Sequence, residues 1–284
     1  MIDLAATLAE RPVILDGGLG TLLESRGNDV SSSLWSARVL RDDPDEVRAA
    51  HAEFVAAGAD LLITASYQVG FGTGIPDAEV ETLLRRSVTL AREAGDVVVA
   101  ASVGPLGALR ADGSEYTGDD GLSVPRLRDA HRRRLHLLAE AGADLLAVET
   151  VPSLRELEAL ARELADLRVP VIVSLSADST GLSAPGAMAQ AFEIAASVPG
   201  VLGVGVNCCA PEHVVPALSA APAMPLVAYP NSGERWDAET RTWSGGATAL
   251  SDAAPSWVEA GARFVGGCCR SMPADIAAIA AAVR

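Results

Sequence analysis

The chain has 284 residues, of which 49% are hydrophobic and 21% are charged, so it can bury a large core and lacks the composition of a disordered protein. Its formal net charge of −15 argues against a nucleic-acid partner. It contains no lysine, which excludes Schiff-base aldolase chemistry and a P-loop.

Alternating strand and helix patterns run along the whole chain. Continuous Val/Leu/Ile-rich runs, typical of parallel strands buried on both faces, predict strands at 13–18, 61–66, 97–104, 145–150, 170–176, 201–208, 225–231 and 264–269. Helices are predicted at 45–57, 79–94, 125–141, 153–166, 186–197, 211–220, 254–260 and 273–283. Eight such units without a linker predict an α/β fold in which residues 1–284 form a single (β/α)8 TIM barrel.

A short repeat indicates which end of the barrel carries the chemistry. The segments AGADLLITAS (57–66), AGADLLAVET (141–150) and AGARFVGGCC (260–269) each place a helix-ending glycine before a strand. Counted from that glycine, Glu149 and Cys268 occupy the same offset. We therefore expect both at the C-terminal mouth, where barrel enzymes place their active sites.

Two pairs of adjacent cysteines follow glycine-rich strands, Cys208-Cys209 and Cys268-Cys269. Neighbouring cysteines do not readily bond to each other, because a disulfide needs converging side chains from separated backbone. If the fold joins the pairs, they can supply three or four thiolates to a soft divalent metal, and zinc fits best. The alternative is that the thiols simply pack in the core.

The chemistry expected of a three-thiolate zinc site is specific. Three sulfur ligands leave one position open, which is typical of a catalytic site, and zinc lowers the pKa of a thiol that binds there. Anionic sulfur ligands make zinc a poor activator of water. Alkylation of a thiol is therefore favoured over hydrolysis.

Several motifs together resemble the homocysteine S-methyltransferase family. They are LDGGLGTLLESRG (15–27), FVAAGADLLITASYQ (54–68), SVGP (102–105), DGSEYTG (112–118), AGADLLAVETVPSLRE (141–156), GVNCCAPE (205–212), VAYPNSGERWD (227–237) and VGGCCRSMP (265–273). The resemblance covers nearly the whole chain, and the pairing of GVNC with GGCC is its most specific part. It implies a zinc-dependent (β/α)8 barrel.

The resemblance also implies roles for individual residues. Zinc ligands would be Cys208, Cys268 and Cys269, while Cys209 stands at a position that the family does not use and is expected to be a packed thiol. Asp16 and Glu149 would bind the ammonium group of homocysteine, Glu149 counting among the catalytic residues, with backbone N–H groups near Gly17 and Gly18 holding the carboxylate. The remaining substrate-binding positions are Ser66, Tyr67, Gln68 and Asn231.

Two departures from the family pattern concern the methyl donor. Leu106 stands where many relatives have tyrosine, and Asp120 stands near another frequent tyrosine, in loops expected to cover the donor. From the length of the chain we expect neither an added cobalamin or folate domain nor the C-terminal extension of betaine-dependent relatives. The resemblance therefore implies the shorter type, which uses S-methylmethionine or S-adenosylmethionine.

The predicted function is zinc-dependent methyl transfer from a sulfonium donor to the thiol of L-homocysteine, giving methionine. The N-terminus does not look like a signal peptide, no apolar run is long enough to span a membrane, and reduced thiols fit the cytoplasm. A homo-oligomer is compatible with the sequence. The alternatives are another thiol or selenol as acceptor, betaine as donor, or a zinc-binding thiol protein without turnover. A thiol–disulfide redox protein is disfavoured because no C-x-x-C is present.

Overall fold

The structure, a computed structural model, describes residues 3–28, 36–110, 112–118, 121–177, 182, 186–237 and 242–284. The strands are β1 (Val13–Ile14), β2 (Leu61–Ile63), β3 (Val98–Val103), β4 (Leu145–Val151), β5 (Val171–Ser176), β6 (Val201–Asn207), β7 (Leu226–Tyr229), β8 (Arg235–Asp237), β9 (Thr242–Ser244) and β10 (Ala262–Val265). The helices are α1 (Leu4–Glu10), α2 (Leu19–Ser25), α3 (Ser36–Asp42), α4 (Pro44–Ala56), α5 (Asp77–Ala94), α6 (Ser114–Thr117), α7 (Val124–Glu140), α8 (Leu154–Leu167), α9 (Ala187–Ala196), α10 (Pro211–Leu218), α11 (Leu250–Glu259) and α12 (Pro273–Val283).

Eight parallel strands close into a barrel. Their order is β1-β10-β7-β6-β5-β4-β3-β2, and a parallel bridge between Leu15 and Leu61 joins the first strand of this row to the last. The Asp16 amide donates to the Leu61 carbonyl at 3.1 Å across the same junction. The predicted (β/α)8 TIM barrel is confirmed.

Alternation along each strand divides the core into two layers. Val98 and Ala100 of β3 belong to the cluster that fills the barrel, whereas Val99 and Ala101 pack in the larger cluster beneath the helices. Successive side chains of a strand point to opposite faces, so a strand buried on both faces needs apolar residues throughout. This requirement explains the unbroken apolar runs in the sequence.

The repeated AGA segments end helices as predicted. Gly58, Gly142 and Gly261 follow α4, α7 and α11 with φ angles of 97°, 90° and 103°. This left-handed conformation favours glycine, because a side chain there would be strained. Each glycine turns the chain directly into the next barrel strand.

Several short elements were not predicted. The sequence pattern predicts no element in the stretches that form helices α1, α2, α3 and α6 and the antiparallel hairpin β8–β9. Each of these elements is too short to show a full apolar period. Strands β1, β2, β7 and β10 also end earlier than predicted. Asp120 lies outside the described residues. Within the described part of the chain, no helix is long and apolar enough to cross a membrane.

Candidate active site

A cavity open to solvent lies at the C-terminal ends of the barrel strands. Residues after β1, β2, β6 and β10 line it, together with side chains of β3, β4 and β7 and of helix α6. The location matches the end of the barrel at which the sequence predicted the chemistry.

Three of the four cysteines meet at this cavity. The Sγ atoms of Cys208, Cys268 and Cys269 all lie within 4.8 Å of one another, and the three residues line the cavity wall. A tetrahedral ion with metal–sulfur bonds of about 2.3 Å holds its sulfurs roughly 3.8 Å apart, so small adjustments would bring these atoms onto one ion. Cys209 instead lies fully buried in the hydrophobic core.

Asn231 connects the two segments that carry the clustered cysteines. Its side-chain Nδ2 donates to the Cys208 carbonyl at 2.9 Å, and its Oδ1 accepts the Cys269 amide at 3.0 Å. The Cys268 amide donates to the Pro230 carbonyl at 2.7 Å. The loop after β7 thus holds the loops after β6 and β10 in fixed positions relative to each other.

Cys208 and Cys268 are in direct contact through their sulfur atoms, with their Cα atoms 5.6 Å apart and the two residues 60 positions apart in sequence. The fold therefore brings two predicted ligands together from distant parts of the chain. Metal binding needs thiolates, so a disulfide between these two cysteines would have to be reduced before all three could coordinate an ion.

The two predicted acids lie in the same cavity. Asp16 is buried, its Oδ2 accepts the Ile63 amide at 2.9 Å, and burial, together with the charge of Glu149, raises its pKa well above the ordinary value. Burial likewise raises the pKa of Glu149 to about 7. An ammonium group placed between these carboxyls would favour their ionised forms.

A hydrogen-bonded network fixes the Glu149 carboxyl. Ser102 donates to one carboxyl oxygen, and the Tyr229 hydroxyl donates to the other at 3.2 Å. The Tyr229 hydroxyl also lies 2.7 Å from Ser174 Oγ, which donates to Asn207 Oδ1 at 2.8 Å. The carboxyl is therefore held from β3 and β7, with further support from β5 and β6.

The other predicted binding residues divide into two groups. Gly17, Gly18, Tyr67 and Gln68 line the cavity, whereas Ser66 and Asn231 do not. The Ser66 hydroxyl donates to the Ser102 carbonyl at 2.8 Å and lies 2.8 Å from Thr64 Oγ1, so it supports the wall from behind. Both side chains hold loops in this structure, and a role for Ser66 and Asn231 in substrate binding stays a prediction.

Gly18, the second glycine after β1, uses its backbone amide within the protein. The Gly18 amide donates to the Ser271 carbonyl at 2.9 Å, so it is not available to hold a substrate carboxylate in this structure. A Cβ atom at Gly18 would lie 2.6 Å from the Cys268 carbonyl oxygen. Glycine is needed here so that the loop after β1 can approach the cysteine loop.

Several residues that line the cavity were not among the predicted binding residues. Tyr229, Glu115 and Thr21 all line the cavity. Tyr229 belongs to the ring of polar strand ends, which was a usable signal, and Glu115 belongs to the DGSEYTG motif. Thr21 accepts the Arg270 amide at 2.9 Å through Oγ1, and nothing in its local sequence indicates this long-range contact.

The family model for homocysteine S-methyltransferases matches residues 13–283. The chain belongs to the homocysteine S-methyltransferase family. Homocysteine S-methyltransferase of Escherichia coli K12 is 44% identical over 292 residues, which cover 95% of this chain and 94% of the relative. Selenocysteine methyltransferase of Astragalus bisulcatus is 37% identical, over 95% of this chain and 92% of its own length. Family membership confirms the prediction of an enzyme that methylates homocysteine.

Solved structures of the E. coli homocysteine methyltransferase MmuM share this fold. The metallated form superposes with a TM-score of 0.83 at 40% identity, over 98% of this chain and 99% of MmuM. The oxidized form gives a TM-score of 0.85 at 40% identity, over 99% of each chain. A metal-bound state is therefore known for a protein with this backbone.

Proposed function

We propose that the protein transfers a methyl group from S-methylmethionine or S-adenosylmethionine to L-homocysteine, with zinc held by Cys208, Cys268 and Cys269. The observation that supports this most is the cluster of three sulfur atoms in the wall of an acidic cavity. Sulfur is the donor type that zinc accepts in tetrahedral sites. A bound zinc ion would lower the pKa of the homocysteine thiol so that it reacts as a thiolate at neutral pH.

Homocysteine would be oriented by the two buried acids. Asp16 and Glu149 face the same cavity as the cysteines, and both carboxyls have raised pKa values because of burial. The substrate ammonium supplies the positive charge and the N–H donors that ionised carboxyls need in such surroundings. Ser102 and Tyr229 hold Glu149, so the amino-acid end of the substrate is fixed while its sulfur reaches the cysteine cluster.

Transfer requires little acid–base chemistry from the protein. The donor S–CH3 bond breaks with its electron pair returning to the donor sulfur, while the homocysteine sulfur forms a bond to the methyl carbon and the thiol proton leaves to solvent. The donor charge disappears, so its leaving group needs no proton. The protein contributes by holding both sulfur atoms and the methyl carbon in line.

A donor panel tests this proposal. Reduced, zinc-loaded enzyme is incubated with homocysteine and methyl-labelled S-methylmethionine, S-adenosylmethionine or betaine, and labelled methionine is measured. We expect turnover with a sulfonium donor and little with betaine. Absence of methionine with every donor, together with an unchanged sulfur count at the zinc X-ray edge on adding homocysteine, would favour a zinc-binding protein without turnover.

A selenol acceptor is a second candidate, because the Astragalus bisulcatus relative is named a selenocysteine methyltransferase. A selenol ionises more readily than a thiol and would use the same cavity. Selenocysteine is one methylene shorter than homocysteine, so its ammonium would sit nearer to the cysteine cluster. Competition between selenocysteine and homocysteine for one labelled donor distinguishes the two acceptors.

We also propose a reducing compartment, the cytoplasm, as the place of action. The cluster can bind a metal ion only when Cys208 and Cys268 are thiols. Cytosolic glutathione and thioredoxin keep thiols reduced. Fractionation of cells that express the tagged protein, with its thiols blocked at lysis, tests both the location and the redox state.

A further inference from the structure

Glu115 is a buried acid that the proposed function has not yet used. It lies on the short helix α6, lines the same cavity as the cysteines and is only 6% exposed. Its Oε2 has no hydrogen-bond partner among the residues that the structure describes. A buried carboxyl oxygen without a donor is costly, so this atom needs a partner that the described residues do not supply.

Close backbone packing fixes the position of Glu115. The turn at Leu106–Leu109 lies against α6, and a Cβ atom at Gly107 would fall 2.4 Å from the Glu115 amide nitrogen. Asp112 Oδ1 accepts the Ser114 amide at 3.0 Å at the start of the same helix. The carboxyl is thus carried by a segment with little room to shift.

The charges around the cavity favour a cation at this place. Among the lining residues that the structure describes, Asp16, Glu115 and Glu149 are the acids, and none is an arginine, lysine or histidine. Two of these acids are already assigned to the ammonium group of homocysteine. The third acid, Glu115, is therefore available to bind the methyl donor.

The type of cation follows from the unpartnered oxygen. A sulfonium group carries positive charge but no N–H, so it cannot donate a hydrogen bond to Glu115 Oε2. A primary ammonium group supplies both the charge and up to three donors. The sulfonium charge is also lost during transfer, so a carboxylate against it would stabilise the ground state more than the transition state. An ammonium group keeps its charge throughout.

We propose that Glu115 binds the α-ammonium group of the methyl donor and thereby selects an α-amino-acid sulfonium. This inference rests on the proposed function, and it deepens that function by assigning the donor end of the cavity. Betaine and other donors without an N–H group leave Glu115 without a partner. The interaction is the same before and after transfer, so its loss appears in the donor KM rather than in kcat.

The test compares two donors that differ only in the amino group, S-methylmethionine and 4-(dimethylsulfonio)butanoate. The wild-type enzyme should prefer S-methylmethionine in kcat/KM by about 10- to 100-fold, the range for a charged hydrogen bond. In Glu115→Gln this preference should fall to within about threefold, through a higher KM for S-methylmethionine. The KM for homocysteine should stay within about twofold, since Asp16 and Glu149 are unchanged.

Three results would overturn the inference. They are equal use of the two donors by the wild-type enzyme, an unchanged preference in Glu115→Gln, and a shift in homocysteine KM instead of donor KM. The wild-type comparison holds even if the variant fails to fold. Glu140→Gln, which removes an exposed acid from α7, is the matched control and should leave both donor constants unchanged. A wild-type enzyme that makes no methionine with any donor contradicts the proposed function itself.

Discussion

Cys208 and Cys209 are neighbours in the chain but have opposite surroundings. Cys208 has a positive φ of 50° and its sulfur joins the cluster at the cavity, whereas Cys209 packs among apolar side chains in the core. Consecutive residues leaving a strand commonly point to opposite sides. A run of two cysteines can therefore supply one ligand and one packed thiol.

Substitution of each cysteine tests this division. Cys208→Ala, Cys268→Ala and Cys269→Ala should each lose stoichiometric zinc and more than about 100-fold of activity, because two thiolates hold the ion too weakly. Cys209→Ala removes only a small packed group and should retain zinc and most activity. Metal content by atomic emission and initial rates are the measurements. Loss of zinc in Cys209→Ala would show that the ligand set is wrong.

Glu149 should make stability depend on pH. Burial raises its pKa to about 7, so its folded form favours the protonated state. Its contribution to stability is present below the unfolded pKa and is lost as the pH rises through about 7. We therefore compare the free energies of unfolding of Glu149→Gln and wild type in the metal-free, reduced protein. The value for Glu149→Gln minus that for wild type should increase by on the order of 2 kcal/mol as the pH is raised from about 5 to about 8.

Urea unfolding at both pH values measures this difference. Glu158→Gln, on helix α8 with a 43% exposed side chain, is the control for removal of a charge. If the difference in free energy of unfolding between Glu149→Gln and wild type is the same at both pH values, Glu149 is ionised in the folded protein at both.

Single residues also show what a sequence can reveal about a site. The cysteines, Asp16 and Glu149 were predicted to share one mouth because they follow strands at equivalent positions, and strand ends of a barrel meet. The side-chain directions of Ser66 and Asn231 were not predictable in this way. They depend on hydrogen bonds to Ser102 and to the cysteine loops, which are distant in sequence.

At the scale of elements, helices α7 and α8 hold the loop after β3 through a buried polar cluster. Glu156 Oε1 accepts the Leu106 amide at 2.7 Å and lies 2.8 Å from His131 Nε2. Arg134 donates to the Gly104 carbonyl and lies 3.3 Å from His131 Nδ1. The loop held in this way carries the turn that packs against α6.

Glu156→Ala should destabilise the protein by about 2–4 kcal/mol, because it leaves the Leu106 amide and the buried His131 without their acceptor and removes a negative charge near the buried Arg134. Glu158→Ala, on the same helix, removes a surface pair with Arg162 and should cost less than about 0.5 kcal/mol. Urea denaturation compares the two. Equal effects would mean that Glu156 is hydrated in solution rather than paired.

Long elements were easier to predict than short ones for a physical reason. Helices α5, α7 and α8 have 18, 17 and 14 residues, enough to repeat an apolar face several times. Helix α6 has four residues, and its position depends on close contact with Gly107 rather than on its own pattern. For that reason Glu115, which α6 places at the cavity, was not predicted as a binding residue.

At the scale of the whole molecule, metal binding should stabilise the barrel only when the cysteines are reduced. A metal ion held by Cys208, Cys268 and Cys269 joins the loops after β6 and β10, which lie on either side of β7. Free zinc at a concentration about 1,000 times its dissociation constant should raise the free energy of unfolding by about 4 kcal/mol. For a chain of this size class, that corresponds to a rise in Tm of about 8–16 °C.

Scanning calorimetry with and without reductant measures this effect. Protein oxidised to form a Cys208–Cys268 disulfide should show no zinc-dependent rise, because two of the three proposed ligands would then be consumed. Reduced Cys209→Ala should respond like wild type, and reduced Cys268→Ala should not. A zinc response of the oxidised protein would place the metal elsewhere.

The separation of the clustered cysteines along the chain has a consequence during synthesis. Cys268 follows Cys208 by 60 positions in the chain. A ribosome that adds about 5–20 residues per second therefore exposes the first thiol roughly 3–12 seconds before its two partners exist. If these three cysteines bind zinc as proposed, no nascent intermediate possesses the complete ligand set. Zinc delivery would then follow the synthesis of Cys269, and early oxidation of Cys208 with a foreign thiol would delay it.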